Sequence, residues 1–134
     1  MKFFILLIGF LLIAFFSFCQ SQGEMNEEAA KNYAKADKEL NNVYTKILEE
    51  YKEDTTFIKY LKVSQRLWIQ FRDAEMNMKY PEAEGDPNYY GSVFPMCWSI
   101  YEEELTRERI KKLKVWLEGI KEGDVCAGSV KIKE

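Results

Sequence analysis

The sequence predicts an all-α fold, a small bundle of three long helices that follows a cleaved signal peptide. An uncharged apolar run opens the chain, apolar residues then recur at helical spacing in three long segments, and no long segment alternates as a β-strand does. About 115 residues remain after the apolar run, which is enough for one domain with a modest core and too few for two.

The first residues, 1–19, have the form of a secretory signal. Lys2 is a short positive region, and the run from Phe3 to Phe18 carries no charge. This run is shorter than the roughly 18 apolar residues that indicate a transmembrane helix. Cleavage after Cys19 or after Gly23 would export a soluble protein, periplasmic or secreted. The alternative is a lipoprotein anchored through Cys19, although the large residue before this cysteine disfavours lipidation.

The charge balance is acidic. The chain has 19 basic and 22 acidic side chains, a net charge of −3, and loss of Lys2 with the signal would lower the net charge by one more unit. Nucleic acids and anionic lipid surfaces bind basic faces of proteins. The balance therefore argues against both as partners and favours a basic protein.

Cys97 and Cys126 are the cysteines that remain if Cys19 is cleaved or lipidated. In an oxidising compartment such a pair predicts one disulfide, which would close a loop of about thirty residues for roughly 3 kcal/mol. The alternative is two free thiols. Because the chain has no histidine and no closely spaced cysteine pair, we expect no metal site and no cofactor.

The first predicted helix runs from about Glu24 to Lys52. Apolar residues recur in it at spacings of three and four, which places them on one face of a helix. They are Tyr33, Ala36, Leu40, Val43, Tyr44, Ile47, Leu48 and Tyr51.

The second predicted helix begins near Asp54 or Thr55, which are good capping residues, and ends at Pro81. A 4-3-4-3-4-3 rhythm predicts that it packs nearly antiparallel to a neighbouring helix. The residues of this stripe are Phe57, Leu61, Ser64, Trp68, Phe71, Glu75 and Met78. The stretch from Pro81 to Ser92 contains Pro, Gly, Asp and Asn and is predicted to be a loop.

The third predicted helix starts between Ser92 and Pro95 and runs to about Lys121, where Gly123 stops it. The helical domain therefore covers residues 24–122. Residues 123–134 form a tail that we expect to be coil. Its apolar and charged residues alternate weakly, as in a β-strand, but a single short strand would have no partner strand to pair with. The residues expected to face inward in the third helix are Cys97, Ile100, Tyr101, Leu105, Ile110, Leu113, Trp116, Leu117 and Ile120.

Five charged residues lie on or beside these apolar stripes, namely Asp37, Arg72, Asp73, Glu75 and Arg109. The stem of Arg109 lies along the apolar face, so its guanidinium needs a carboxylate, for which Asp37, Asp73 and Glu75 are the candidates. We predict a structural charge network that joins the helices, because an unpaired buried charge costs several kcal/mol. The alternative is a catalytic carboxylate pair, which needs one acid with a raised pKa.

Other catalytic chemistry has little support in the sequence. The absence of histidine excludes Ser-His-Asp and Cys-His arrangements as well as a di-iron site of the Glu-x-x-His type. The acidic run from Glu102 to Glu104 is predicted to be a solvated helix face. We therefore do not expect an enzyme.

The predicted loop offers a better candidate for function. Tyr80, Tyr89, Tyr90 and Phe94 place four aromatic side chains around a Gly-containing segment. Aromatic loops are favoured at protein interfaces, so these four residues are predicted to bind a partner. The alternative is that they fold back and cap the bundle.

Several motifs together resemble the lysozyme inhibitor LprI-like family, over about Glu24 to Leu117. Each motif alone is weak, but their order and spacing are fairly specific. They are Glu24-Met25-Asn26, the segment from Ala36 to Tyr44, the segments Gln65 to Trp68 and Phe71 to Glu75, and finally Cys97 and Leu105-Thr106-Arg107-Glu108-Arg109.

The resemblance implies a small exported α-helical domain, with lysozyme inhibition attributed to the founding mycobacterial member and no agreed active site. Members often carry further cysteines where this chain has Glu28 and Met76, so the resemblance implies the loss of one bridge. An acidic domain would gain long-range attraction to a basic lysozyme and would act by occupying its substrate cleft. The alternative is a periplasmic or cell-envelope interaction module that does not inhibit lysozyme.

Overall fold

The computed structural model describes residues 21–86 and 88–133, which contain three α-helices. They are α1 (Gln22–Glu50), α2 (Thr55–Lys79) and α3 (Phe94–Glu118). The predicted all-α bundle of three long helices is confirmed, and within the described ranges β-pairing is limited to one isolated bridge.

The predicted signal segment, 1–19, lies outside the described residues, and so does the proposed lipidation site, Cys19. Neither prediction is tested by the fold. In the part of the chain that the structure describes, no helix combines the length and the apolar character that crossing a membrane requires.

Side-chain caps determine where α1 and α2 begin. The Ser21 hydroxyl accepts a hydrogen bond from the Glu24 amide at 3.2 Å, while the Glu24 carboxylate accepts one from the Ser21 amide at 2.8 Å. This reciprocal capping box starts α1 two residues before the predicted position. At the start of α2, the Asp54 carboxylate accepts from the Phe57 amide at 2.9 Å, in agreement with the predicted cap.

Helices α1 and α3 form the closest pair in the bundle, and they run parallel. The Asn26 amide near the start of α1 donates to the Ser92 carbonyl just before α3. The Tyr51 hydroxyl, just after α1, donates to the Trp116 carbonyl near the end of α3. Helix α2, which lies between α1 and α3 in the sequence, runs in the opposite direction to both. We call the end with the α2–α3 loop the upper end and the end with Tyr51 the lower end.

The apolar core lies towards the lower end. Its buried side chains are Leu40, Val43 and Ile47 of α1, Leu61 of α2, and Ile110 and Leu113 of α3. Large half-buried side chains from all three helices surround it, among them Trp68 and Trp116. Beyond this core, Ala29 and Ala36 of α1, Met76 of α2 and Thr106 of α3 are also buried.

The predicted inward stripe of α2 is wrong at its upper end. Phe71 is 54% exposed and Met78 is 69% exposed, whereas Met76, absent from the stripe, is buried. On a straight helix with 3.6 residues per turn, positions that repeat every seven residues drift around the axis by about 20° per heptad. The last residues of the predicted stripe therefore point away from α1 and α3. Helix α2 consequently presents Leu67, Phe71 and Met78 on its outer side.

The inward stripe of α3 is also wrong at two positions. Ile100 is half exposed, whereas Thr106 is fully buried, and its hydroxyl has no hydrogen-bond partner among the described residues. Small side chains allow a close approach between helices, which is consistent with the tight pairing of α1 and α3.

The predicted disulfide between Cys97 and Cys126 is wrong, because both thiols are free. Cys97 lies in the first turn of α3, whereas Cys126 lies in the tail, in a groove that Arg109 and Leu113 of the same helix also line. Arg109 is about 18 Å along α3 from Cys97, and a disulfide needs Cα atoms within about 7 Å. The alternative of two free thiols is the one observed.

The end of α3 differs from the prediction because Gly119 stops the helix, four residues before Gly123. Gly119 has φ 73° and ψ 176°, a conformation that only glycine adopts readily. The chain then turns so that Ile120 forms a parallel bridge with Ile132 of the tail. The tail is otherwise irregular, as expected, but it is docked on the bundle.

Replacement of Gly119 by alanine is expected to destabilise the protein more than replacement of Gly123. Both glycines have positive φ, which costs about 1–3 kcal/mol for other residues. A Cβ at Gly119 would also lie 2.8 Å from the Lys131 carbonyl oxygen, whereas a Cβ at Gly123 would meet nothing within 4 Å. Urea unfolding of G119A and G123A measures the difference, and equal losses would show that the tail contact does not constrain Gly119.

Candidate partner-binding site

An aromatic cluster closes the upper end of the bundle. It consists of Tyr80, which follows α2, Tyr90 of the loop, and Phe94 and Trp98 of α3. The Tyr80 ring lies 5.4 Å from Tyr90, 5.3 Å from Phe94 and 5.7 Å from Trp98, measured between centroids. Tyr90 stacks on Phe94 at 5.2 Å. The cluster holds the loop against the ends of α2 and α3.

The four aromatic residues predicted to bind a partner therefore fall into two groups, three that pack in the cluster and one that is exposed. Tyr80, Tyr90 and Phe94 pack inside the cluster, as the alternative expectation described. Tyr89 remains 63% exposed and contacts the Tyr90 ring edge-on at 4.9 Å. Trp98 was missed, although its position four residues after Phe94 on one helix face is a signal that could have found it.

Arg72 connects all three helices just below the aromatic cluster. Its guanidinium donates to the Tyr33 hydroxyl of α1 at 3.4 Å and to the adjacent Asp73 at 2.9 Å, and it lies 3.8 Å from Glu102 of α3. The side chains of Arg72 and Glu102 are 14% and 15% exposed. The prediction that Glu102 belongs to a solvated face is thus wrong, because this carboxylate faces the bundle.

The other predicted network residues do not meet Arg72. Asp37 accepts from Asn41 on its own helix at 3.1 Å, and Glu75 accepts from the Tyr101 hydroxyl at 3.2 Å. The first of these contacts stays within α1, whereas the second joins α2 to α3.

Arg109 does not have the carboxylate partner expected for it. Its Nε donates to the Gln65 side-chain oxygen and its Nη2 to the Ser64 hydroxyl, both at 3.0 Å. No carboxylate of the described chain lies within salt-bridge distance of it. Asp73 and Glu75 lie eight or more residues further along α2 than Gln65, which is about 12 Å or more along the helix axis, so they are too far along the helix to reach Arg109.

Trp68 lies beside both arginines. The guanidinium carbons of Arg72 and Arg109 are 5.5 Å and 6.0 Å from the Trp68 ring centroid, at cation–π distance. Trp68 thereby links Arg72 of α2 to Arg109 of α3.

An open cleft of about 400 Å³ lies between α2, α3 and the loop, and we call it the acidic cleft. Asp73, Glu84 and Glu102 supply its charge, and Phe94 and Trp98 its aromatic wall. None of the described residues that line it is basic. The arrangement suits binding of a cationic side chain from a partner, which carboxylates attract and aromatic faces stabilise. The remaining lining residues are Met76, Asn77 and Ala83.

Replacement of Arg72 by glutamine is expected to lower the free energy of unfolding by about 3 kcal/mol, because the partly buried Glu102 loses its cation. R107Q is the matched control. Arg107 pairs with Glu103 and Glu39, but its side chain is 50% exposed, so its loss should cost at most about 1 kcal/mol. Chemical denaturation compares the two variants. Similar small losses in both would rule out a structural role for the Arg72 contacts.

Tyr33 is expected to make the protein less stable at alkaline pH. Burial, followed by the hydrogen bond and the charge of Glu102, raises the pKa of Tyr33 to about 12. An unfolded chain releases this proton near pH 10. The unfolded state therefore binds fewer protons than the folded state between these values, and the stabilisation present below pH 10 is lost as the pH rises towards 12.

Ultraviolet titration of the tyrosines and denaturation at several pH values measure this effect. The Y33F variant should lack the highest titration step and lose less stability between pH 10 and 12 than the parent. Identical pH profiles in parent and variant would contradict the assignment.

Comparison with known proteins connects this arrangement to a family. The family described as lysozyme inhibitor LprI matches residues 19–113, which include α1, α2 and most of α3. The chain is also similar to an uncharacterised protein of Rhizobium meliloti (strain 1021), with 33% identity over 109 residues, 73% of this chain and 75% of that protein. No solved structure shows a significant match. The resemblance inferred from the motifs is confirmed, and the chain belongs to the lysozyme inhibitor LprI family.

Proposed function

We propose that this protein is an exported helical domain that binds a lysozyme and inhibits it by occluding its substrate cleft. Export would follow removal of residues 1–19, with a lipid anchor at Cys19 as the alternative route to the cell envelope. Membership of a family described as a lysozyme inhibitor supports the proposal. The observation that carries it is the acidic cleft at the upper end.

The charge of the cleft suits a basic lysozyme. Asp73, Glu84 and Glu102 line it without a described basic residue, and the whole chain has a net charge of −3. Long-range attraction between such an acidic patch and a basic protein accelerates encounter, and salt weakens it. Asp73 and Glu102 already contact Arg72, so Glu84 on the loop is the acid best placed for a partner.

Tyr89 is the aromatic contact that fits this role. It is exposed on the loop, and its edge contact with Tyr90 connects it to the aromatic cluster, whose Phe94 lines the acidic cleft. Tyr90 in turn accepts a hydrogen bond from the Glu82 amide at 3.3 Å, which holds the loop. A large aromatic side chain on a well-supported loop loses little entropy on binding and is typical of interface hot spots.

Inhibition by this domain would depend on binding alone. The chain contains no histidine, and two of the three carboxylates of the cleft, Asp73 and Glu102, contact Arg72. The domain would exclude the glycan from the lysozyme without altering either molecule.

A turbidity assay of a basic lysozyme on bacterial cell walls tests the proposal. Near-stoichiometric protein should slow clearing, and added salt should reduce the effect because it screens the attraction. The assay without lysozyme, with analysis of released glycan, tests whether the protein itself acts on the wall.

Two variants locate the interface, each with a matched control. Y89A should weaken inhibition roughly thirtyfold, as expected for loss of about 2 kcal/mol at a hot spot. Y60A is its control, because Tyr60 is equally exposed at 63% but lies on α2 towards the lower end. E84Q should reduce the salt dependence, whereas E53Q, in the turn between α1 and α2, should not.

The outcomes separate the inhibitor from other functions. No inhibition at excess protein would contradict the proposal and leave an envelope interaction module as the function. Inhibition that Y60A reduces as much as Y89A would retain lysozyme as the partner but place the interface elsewhere.

A further inference from the structure

The tail leaves a second concave surface between α2 and α3, towards the lower end of the bundle. Residues 126–130 lie over α2 and α3 without filling the space beneath them, and the resulting groove has a volume of about 500 Å³. We call it the tail groove. Ligand sites for small molecules commonly have volumes of about 300–1,000 Å³.

The tail is fixed by several contacts, so the groove is a built feature. The Lys131 amide donates to the Tyr51 hydroxyl at 3.2 Å, and the Ile120 amide donates to the Lys131 carbonyl at 2.9 Å. Lys131 also pairs with Glu50 at the end of α1. These contacts hold the residues before Lys131 in place above the helices.

The lining of the tail groove is mostly apolar, and its uncharged polar side chains are Tyr60, Ser64, Cys126 and Ser129. Arg109 is the single charged side chain among the described residues that line it. The main apolar contributors are Phe57, Leu61, Leu113, Trp116 and Val130.

Arg109 has no counter-charge among the residues that the structure describes. Its described hydrogen-bond partners, Ser64 and Gln65, are neutral. Burial lowers the pKa of Arg109, and no carboxylate offsets that effect. A partly desolvated guanidinium without an anion gains energy from any anion that reaches it, because charge-assisted hydrogen bonds are stronger than neutral ones.

From this geometry we propose that the tail groove binds a single-chain amphiphile with a carboxylate head, such as a fatty acid, with the head on Arg109 and the chain along the apolar wall. One guanidinium balances one carboxylate charge, whereas a dianionic phosphate head would remain undercompensated. The tail covers one side of the groove, which suits a narrow alkyl chain better than a folded partner. This site is independent of the proposed lysozyme interface.

Decanoate binding to the purified full-length protein tests the proposal. Isothermal titration calorimetry below the micelle-forming concentration should show saturable binding of one decanoate, and the fluorescence of Trp116 should change with it. Decanol, which has the same chain without the charge, should bind at least about tenfold more weakly. Decyl phosphate is the comparison for the choice of head group.

Two variants and one control assign the residues. R109Q should weaken decanoate about tenfold and leave decanol unchanged, while R109K, which retains the charge, should recover part of the affinity. The control R107Q removes an exposed arginine two residues away and should bind decanoate as the parent does. If R109Q fails to fold, A127W still tests the site. The indole of the new tryptophan should fill the tail groove and abolish the binding of both decanoate and decanol.

Three outcomes would overturn the proposal. One is the absence of saturable decanoate binding, including the case in which only a peptide with a free carboxyl terminus binds. Another is equal affinity of parent and R109Q for decanoate, or unchanged binding by a folded A127W. The third is tighter binding of decyl phosphate than of decanoate, which would contradict the carboxylate head.

Discussion

The contacts of Arg72 connect the three helices at mid-height, and the upper half of the bundle depends on them. The guanidinium reaches Tyr33 of α1, Asp73 of α2 and Glu102 of α3, and it lies over the Trp68 ring. Arg72 and Glu102 are largely buried, so these two charges need each other and their hydrogen-bonding neighbours to compensate for lost hydration. A rotation of any helix about its axis would separate them, which makes the network a constraint on helix orientation as well as a source of stability.

This constraint divides the molecule into two ends with different chemistry. Below Arg72 the helices bury aliphatic side chains around Leu40, Ile47 and Leu113. Above it the packing is aromatic, acids line a cleft, and Tyr89 is exposed on the loop. The apolar core supplies most of the stability, so the upper end is free to carry carboxylates and an exposed aromatic ring at the proposed interface. The proposed amphiphile site lies at the other end, where the tail rather than the loop provides the wall.

The sequence predicted much of the fold but less of the charged network. Helical periodicity located the three helices to within a few residues, and the loop aromatics were recognised as a group. The partner of Arg72 was missed because Glu102 belongs to a run of three acids that reads as a solvated face. Arg109 was expected to meet a carboxylate, but α2 presents Ser64 and Gln65 there. The Glu102 error concerns the rotation of α3 about its axis, which a periodic template places only to within its drift. The Arg109 error concerns the register between α2 and α3, which depends on how the two helices pack.

The sequence by itself determined the helical class, the approximate helix limits, the acidic balance and the family. These properties follow from local spacing, composition and short motifs, which operate within one or two turns of the chain. The tertiary structure decided the parallel pairing of α1 and α3, the free state of Cys97 and Cys126, the enclosure of the aromatic cluster and the docking of the tail. Those features depend on distances between residues far apart in the chain, and such distances exist only once the helices have packed.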